Sequence, residues 1–204
     1  MSIGKKLFHQ NGVLHVKELI PKDLSHFLTH IMLRYSSVVG KISSNADVQV
    51  PGCLAYIDHD IIFETVHEMI WPEIEQVIGI ELIPTYAYAR LYQNGNVLEK
   101  HKDRDECEIS VTLQLGRSHH YSWPIWMEGS RHDLAECDAV IYRGNKLEHW
   151  RDECEGPNGY YSGQVFFHFV DANGEFTHLA GDSTIRKVKK DHYVKNRNFL
   201  MVNK

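Results

Sequence analysis

The sequence predicts a mainly β protein, a sandwich or barrel buttressed by helices on one outer face. Three observations predict it. Residues 85–92 alternate strictly, with Tyr86, Tyr88, Arg90 and Tyr92 on one face of an extended strand and Thr85, Ala87, Ala89 and Leu91 on the other. Further short alternating segments follow, divided by Gly, Pro and Asn turns. Apolar stripes at helical spacing are confined to the first 80 or so residues.

In chain order, residues 12–20 form a short extended piece. Pro21-Lys22-Asp23 starts a helix over about 21–35 whose stripe is Leu24, Phe27, Leu28, Ile31, Met32 and Tyr35. Residues 36–52 have no period and form a loop, long enough to serve as a lid. Asp60 caps a second helix over 60–78, with Ile61, Phe63, Val66, Met69 and Ile70 on its apolar face. Trp71-Pro72 interrupts it and Gly79 ends it. Strands are expected at 85–92, 108–115, 121–127, 138–142, 146–150 and 163–170. The stretch from 183 to 204 is basic and reads as a solvated extension, with Phe199 to Val202 packed onto the body.

Composition bounds the function. A chain of 204 residues, 43% apolar and 24% charged, is sized and balanced for one soluble domain with a full core. No apolar run is long enough to span a bilayer and the N-terminus lacks a secretory pattern, so a cytoplasmic protein without membrane partners is expected. A net charge of −5 gives no reason to expect a nucleic-acid binder. Cys53, Cys107, Cys137 and Cys154 are scattered without a Cys-x-x-Cys, which predicts reduced thiols rather than a zinc knuckle or a disulfide framework.

The chemistry concentrates after the first long strand. Gln93-Asn94-Gly95-Asn96 reverses the chain, with Gly95 free to take a positive φ, and the return segment ends in His101-x-Asp103. In an extended segment residues two apart point the same way, so both can reach one metal ion. With a more distant histidine they make a facial triad, the ligand set that leaves open positions on non-haem iron. With 14 histidines in the chain, a lone His-x-Asp carries little information. A tyrosine-bearing strand, a glycine turn, the His-x-Asp and a suitable His about 46 residues beyond Asp103 together carry much more.

Tyr92-x-x-Gly95, His101-x-Asp103 and the stretch Asp138-Ala-Val-Ile-Tyr-Arg-Gly-Asn-Lys-Leu-Glu-His149-Trp-Arg151 resemble the Fe(II)/2-oxoglutarate-dependent dioxygenases, closest to their prolyl-hydroxylase-like branch. The resemblance covers roughly residues 82–171. It implies a double-stranded β-helix, or jelly roll, over those residues, with residues 1–81 as helical support and 172–204 as the basic extension of a single domain. It implies Fe(II) held by His101, Asp103 and His149, and 2-oxoglutarate as cosubstrate. Tyr92 matches a tyrosine that touches 2-oxoglutarate, and Arg90 shares its face.

One departure from the family pattern is plain. The basic residue expected about ten positions after the distal His is absent, because residues 152–163 contain no Arg or Lys and Ser162 stands in its place. Arg151, two residues past His149, is the preferred anchor for the far carboxylate, with Arg90 and Tyr92 assisting. Gln164, Phe166 and His168 line the inner face of the last strand, and His168 reads as a core histidine. The implied reaction is hydroxylation of a peptide or protein side chain of the prolyl type, or of a free amino acid or small metabolite. The alternatives are a cupin-like metal site without 2-oxoglutarate and an inert binding module.

Overall fold

The computed structural model describes residues 3–38 and 47–180. The basic stretch from 183 onward and the middle of the 36–52 loop, assigned above as an extension and a lid, lie outside the described residues. The chain runs α1 (Ile3–Asn11), β1 (Val13–Val16), α2 (Lys22–Val38), β2 (Ala55–Asp58), α3 (Ile61–Ile78), β3 (Leu82–Gln93) and β4 (Leu98–His101). It continues with β5 (Ile109–Arg117), β6 (Ile125–Met127), β7 (Ser130–His132), β8 (Ala139–Tyr142), β9 (His149–Arg151) and β10 (Tyr161–Asp171).

Two antiparallel sheets result. The larger has the order β1-β8-β5-β10-β3-β2 and the smaller β4-β9-β6-β7. β1 and β2 precede residue 82, so the larger sheet extends beyond the expected 82–171 core. Helix α1 and strand β2 escape the sequence reading because each is short, nine and four residues. The strands expected at 121–127 and 146–150 shrink to three residues apiece.

α2 packs on β5 and α3 on β3, and both cover the outer face of the larger sheet. Leu28, Met32, Phe63, Ile74, Leu113, Phe167 and Phe169 form the core between these layers. Each such side chain taken from water stabilises the fold by roughly 1.5–3 kcal/mol. Alternation along β3 sorts its residues as expected. Ala87, Ala89 and Leu91 join this core, while Tyr88 and Tyr92 enter a second cluster with Leu98, Trp123 and Phe166 on the inner side.

α3 begins where Asp60 Oδ1 accepts the N–H of Ile62 at 2.8 Å, and ends at Gly79, whose φ of 75° favours a residue without a Cβ. The helix runs unbroken through Pro72, contrary to the expected interruption. Pro72 removes one backbone donor, but Trp71, Pro72 and Ile74 are all buried, and their packing outweighs the missing bond. Three stripe residues also depart from expectation. Phe27, Ile61 and Met69 sit at the margins of their helical faces and are exposed.

Candidate metal centre

His101 and His149 are 48 positions apart in sequence, yet they are directly opposed partners on β4 and β9. Opposed residues of an antiparallel pair project to the same face, and the two imidazole centroids are 4.3 Å apart. Asp103 lies just beyond the end of β4, so the loop rather than the strand aims it. Its N–H donates to Gly144 O at 2.9 Å, and its Oδ2 accepts the Ser110 hydroxyl at 2.9 Å. Its other oxygen, Oδ1, is 3.5 Å from Nε2 of both histidines.

The tautomers follow from the neighbours. Nδ1 of His101 faces the Glu99 carbonyl at 2.7 Å and Nδ1 of His149 faces the Leu147 carbonyl at 3.0 Å. A carbonyl only accepts, so each Nδ1 carries the proton and each Nε2 lone pair turns inward. Burial alone would raise the Asp103 pKa, but hydrogen bonds that His101 and His149 donate when protonated on both nitrogens outweigh it and hold the carboxylate well below its usual range. Burial pulls His101 down, and the bonds to Asp103 and Glu99 reverse that to a net rise. Two inward imidazole nitrogens and an ionised carboxylate oxygen fit a first-row divalent metal with one side left open.

Support for Asp103 reaches deeper. Ser110 Oγ also lies 3.0 Å from Nδ1 of His168, so an N–H to O–H to carboxylate chain fixes the ligand. His168 is buried, stacks on Tyr88 with Tyr86 tilted against it, and is pushed down to about 4 by burial, so it stays neutral. The Tyr142 hydroxyl is 3.5 Å from His149 Nε2.

Arg151 shares the face of His149, as an i, i+2 pair in a strand must. Its side chain is 1% exposed. Nη1 donates to the Trp123 carbonyl at 2.5 Å and Nη2 to Gln164 Oε1 at 2.9 Å, while Nε has no partner. Among the described residues no carboxylate pairs with this guanidinium. A buried cation served only by neutral acceptors is costly, and an incoming anion removes that cost. Burial lowers its pKa, in keeping with that strain.

Arg90 differs. It is buried too, but Nε and Nη2 reach the Asp47 carboxylate at 2.5 and 3.2 Å, Nη1 donates to the Tyr92 hydroxyl at 2.9 Å, and Nη2 also reaches Gln49 Oε1 at 3.1 Å. Tyr92 is fully buried, edge-on to Trp123 at 4.9 Å. Gln164 opposes Arg90 across the β10–β3 pair, and Ser162 opposes Tyr92, so all four residues face the inner side.

The structure therefore gathers His101, Asp103 and His149 at one point, with Arg90, Tyr92 and Arg151 on the adjoining wall. Asp47, Gln49, Ser110, Trp123, Tyr142 and Gly144 also belong to this surrounding, and the sequence reading did not single them out. Ser110 and Tyr142 sit in plainly β segments where any inward polar residue is a candidate. Asp47 and Gln49 lie in a loop without period, which offers no such signal. The four cysteines are free and buried. A separate cleft of about 520 Å³, lined by His26, His30, His119 and His120 among others, includes none of the centre's residues.

No family profile matches the sequence, and no curated protein matches it either. Solved structures do match in fold. A prolyl-4-hydroxylase from Pseudomonas putida superposes with a TM-score of 0.57 at 16% identity, covering 80% of this chain and 95% of that one. HygX from Streptomyces hygroscopicus, with nickel and 2-oxoglutarate bound, gives 0.62 at 9% identity over 85% and 88%. A Trichoplax adhaerens prolyl hydroxylase in complex with a hypoxia-inducible-factor peptide gives 0.58 at 13% identity over 82% and 87%. This chain shares their fold.

Proposed function

We propose that the protein is an Fe(II)- and 2-oxoglutarate-dependent dioxygenase, a single domain whose two sheets form a double-stranded β-helix. The proposed reaction is hydroxylation of a protein or peptide side chain of the prolyl type, or of a free amino acid or small metabolite. One observation carries the reading. A preformed His101–Asp103–His149 ligand set shares its wall with Arg151, a buried guanidinium that has no anion among the described residues. The shared fold supports the same reading, as do neighbours whose structures hold 2-oxoglutarate, a hypoxia-inducible-factor peptide or hygromycin B.

In this reading His101, Asp103 and His149 hold the iron. An iron held there would, with 2-oxoglutarate and O2, supply the oxidative chemistry, one oxygen atom entering the succinate formed as 2-oxoglutarate loses CO2 and the other replacing a substrate C–H by C–OH. The protein's part is positioning. The two carbonyl-anchored imidazoles and the Ser110-held carboxylate fix the ligand directions before metal arrives, which spares reorganisation on binding. Arg151 takes the far carboxylate of 2-oxoglutarate, with Tyr92 and Trp123 as apolar walls. The aromatic lining of Tyr88, Tyr92, Trp123 and Phe166 limits water near the reacting atoms.

The deciding experiment loads the protein with Fe(II) and measures succinate formed from 2-oxoglutarate, beside calorimetric binding of 2-oxoglutarate to the manganese form. Binding and turnover support the dioxygenase. Metal uptake without 2-oxoglutarate binding would turn the assignment to a cupin-like site.

A further inference from the structure

The mechanism above gives Gln49 no role. Gln49 belongs to the segment before β2, outside the strands that carry the metal ligands, yet its carboxamide reaches between Arg90 and His101. Oε1 accepts from Arg90 Nη2 at 3.1 Å, and Nε2 lies 2.8 Å from His101 Nε2. The orientation of the amide is determined by its neighbours. Reversing it would set an NH2 against a guanidinium, two donors face to face.

This placement is built from several bonds. Asp47 Oδ1 accepts the backbone N–H of Gln49 at 3.0 Å and that of Val50 at 3.1 Å, which folds the segment into a tight turn. Arg90 then clamps the Asp47 carboxylate through Nε and Nη2. Asp47 and Arg90 are 5% and 2% exposed, so the clamp is a buried, doubly bonded ion pair rather than a surface contact.

Nδ1 of His101 already donates to Glu99 O, so the lone pair that Gln49 engages is the one a metal takes. Metal and Gln49 cannot share it. When the lone pair is taken, the Gln49 carbonyl keeps Arg90, and the NH2 loses its acceptor while still directed at the centre. We propose that Gln49 is a ligand-recognition residue of this centre: its amide N–H, held by the Asp47–Arg90 clamp, bonds an oxygen or anionic atom of the molecule on the open side of the ligand set. Asp47 and Arg90 are its positioning residues. The inference rests on the metal reading above.

The test uses the full chain loaded with Co(II), titrated with azide, a small anion that ligates the metal and accepts hydrogen bonds. Visible absorption reports both Co(II) uptake and azide binding. Gln49→Ala should lower azide affinity about tenfold, the worth of one hydrogen bond to a charged acceptor, with Co(II) affinity no weaker than the parent's, since the metal no longer displaces the Gln49 bond to His101. Gln49→Glu should lower it further, since a carboxylate repels the anion. Gln49→Met keeps the chain length without the amide and serves if the alanine variant is unstable. Val48→Ala, on the exposed side of the same segment, should match the parent. Unchanged azide affinity in both Gln49→Ala and Gln49→Met overturns the inference. So does tighter Co(II) binding with no effect on azide, because Gln49 would then only cap His101. A parent protein that takes up no Co(II) fails at the earlier step and removes the metal reading itself.

Discussion

Gly144 passes so close to Asp103 that a methyl group at its Cα would lie 2.3 Å from the carboxylate Oδ2. The same methyl would meet Ser110 Oγ at 2.4 Å and the Cys107 carbonyl at 2.6 Å. Gly144 also supplies the carbonyl that receives the Asp103 N–H. A turn far along the chain thus sets the position of Asp103, a proposed metal ligand, and only glycine leaves room for it.

Gly144→Ala should therefore displace Asp103 and weaken Fe(II) or Co(II) binding by at least tenfold. Overpacking of this kind typically costs about 1–3 kcal/mol of stability, too little to unfold most domains. Metal titration beside a thermal melt checks both parts, and a variant that binds metal as the parent does contradicts the assignment.

His149→Ala should abolish stoichiometric metal binding while the fold persists. His149 contributes an Nε2 preoriented by Leu147 O, and the remaining pair, His101 and Asp103, cannot enclose an ion. Equilibrium dialysis with Co(II) gives the answer, and retained one-to-one binding would dismiss this ligand set.

Arg151→Ala should weaken 2-oxoglutarate binding at least tenfold and leave metal affinity nearly intact. Leaving a carboxylate without its charge partner in a desolvated pocket costs about 2–5 kcal/mol. Arg90→Ala should act differently. Its guanidinium is already paired with Asp47, so its loss strands a buried carboxylate and costs about 3–5 kcal/mol of stability. Calorimetry on the manganese form and denaturant melts separate the two. Equal 2-oxoglutarate affinity in Arg151→Ala and the parent would refute the anchor.

Acid should destabilise the fold through His67. Burial holds its pKa down to about 3, and it packs against Phe167 and Phe169. An unfolded histidine titrates near about 6.5, so between these values the unfolded chain binds the extra proton and stability falls as pH drops. The contribution is complete above about pH 6.5, and at pH 5 the deficit from this residue reaches about 2 kcal/mol. His67→Leu should narrow the gap between melting temperatures at pH 7.5 and pH 5. An unchanged gap would show that His67 is not held neutral.

The sequence by itself determined what depends on local period and spacing. Alternation along β3 sends Tyr88, Arg90 and Tyr92 to one face and Ala87, Ala89 and Leu91 to the other, because a strand's side chains must alternate. Asp60 and Gly79 bound α3 because capping is written in adjacent residues. His101 and Asp103 read as a pair because they are two residues apart. Only the tertiary structure decided what depends on register between distant segments. It set His149 opposite His101, brought Gly144 beneath Asp103, and gave Arg90 the Asp47 carboxylate while leaving Arg151 without a carboxylate among the described residues. Helical periodicity likewise misjudged Phe27, Ile61 and Met69, since the width of a buried stripe depends on how far the opposing sheet extends. Pairing across a sheet is chosen by the burial of whole faces at once, and no local pattern of residues carries that information.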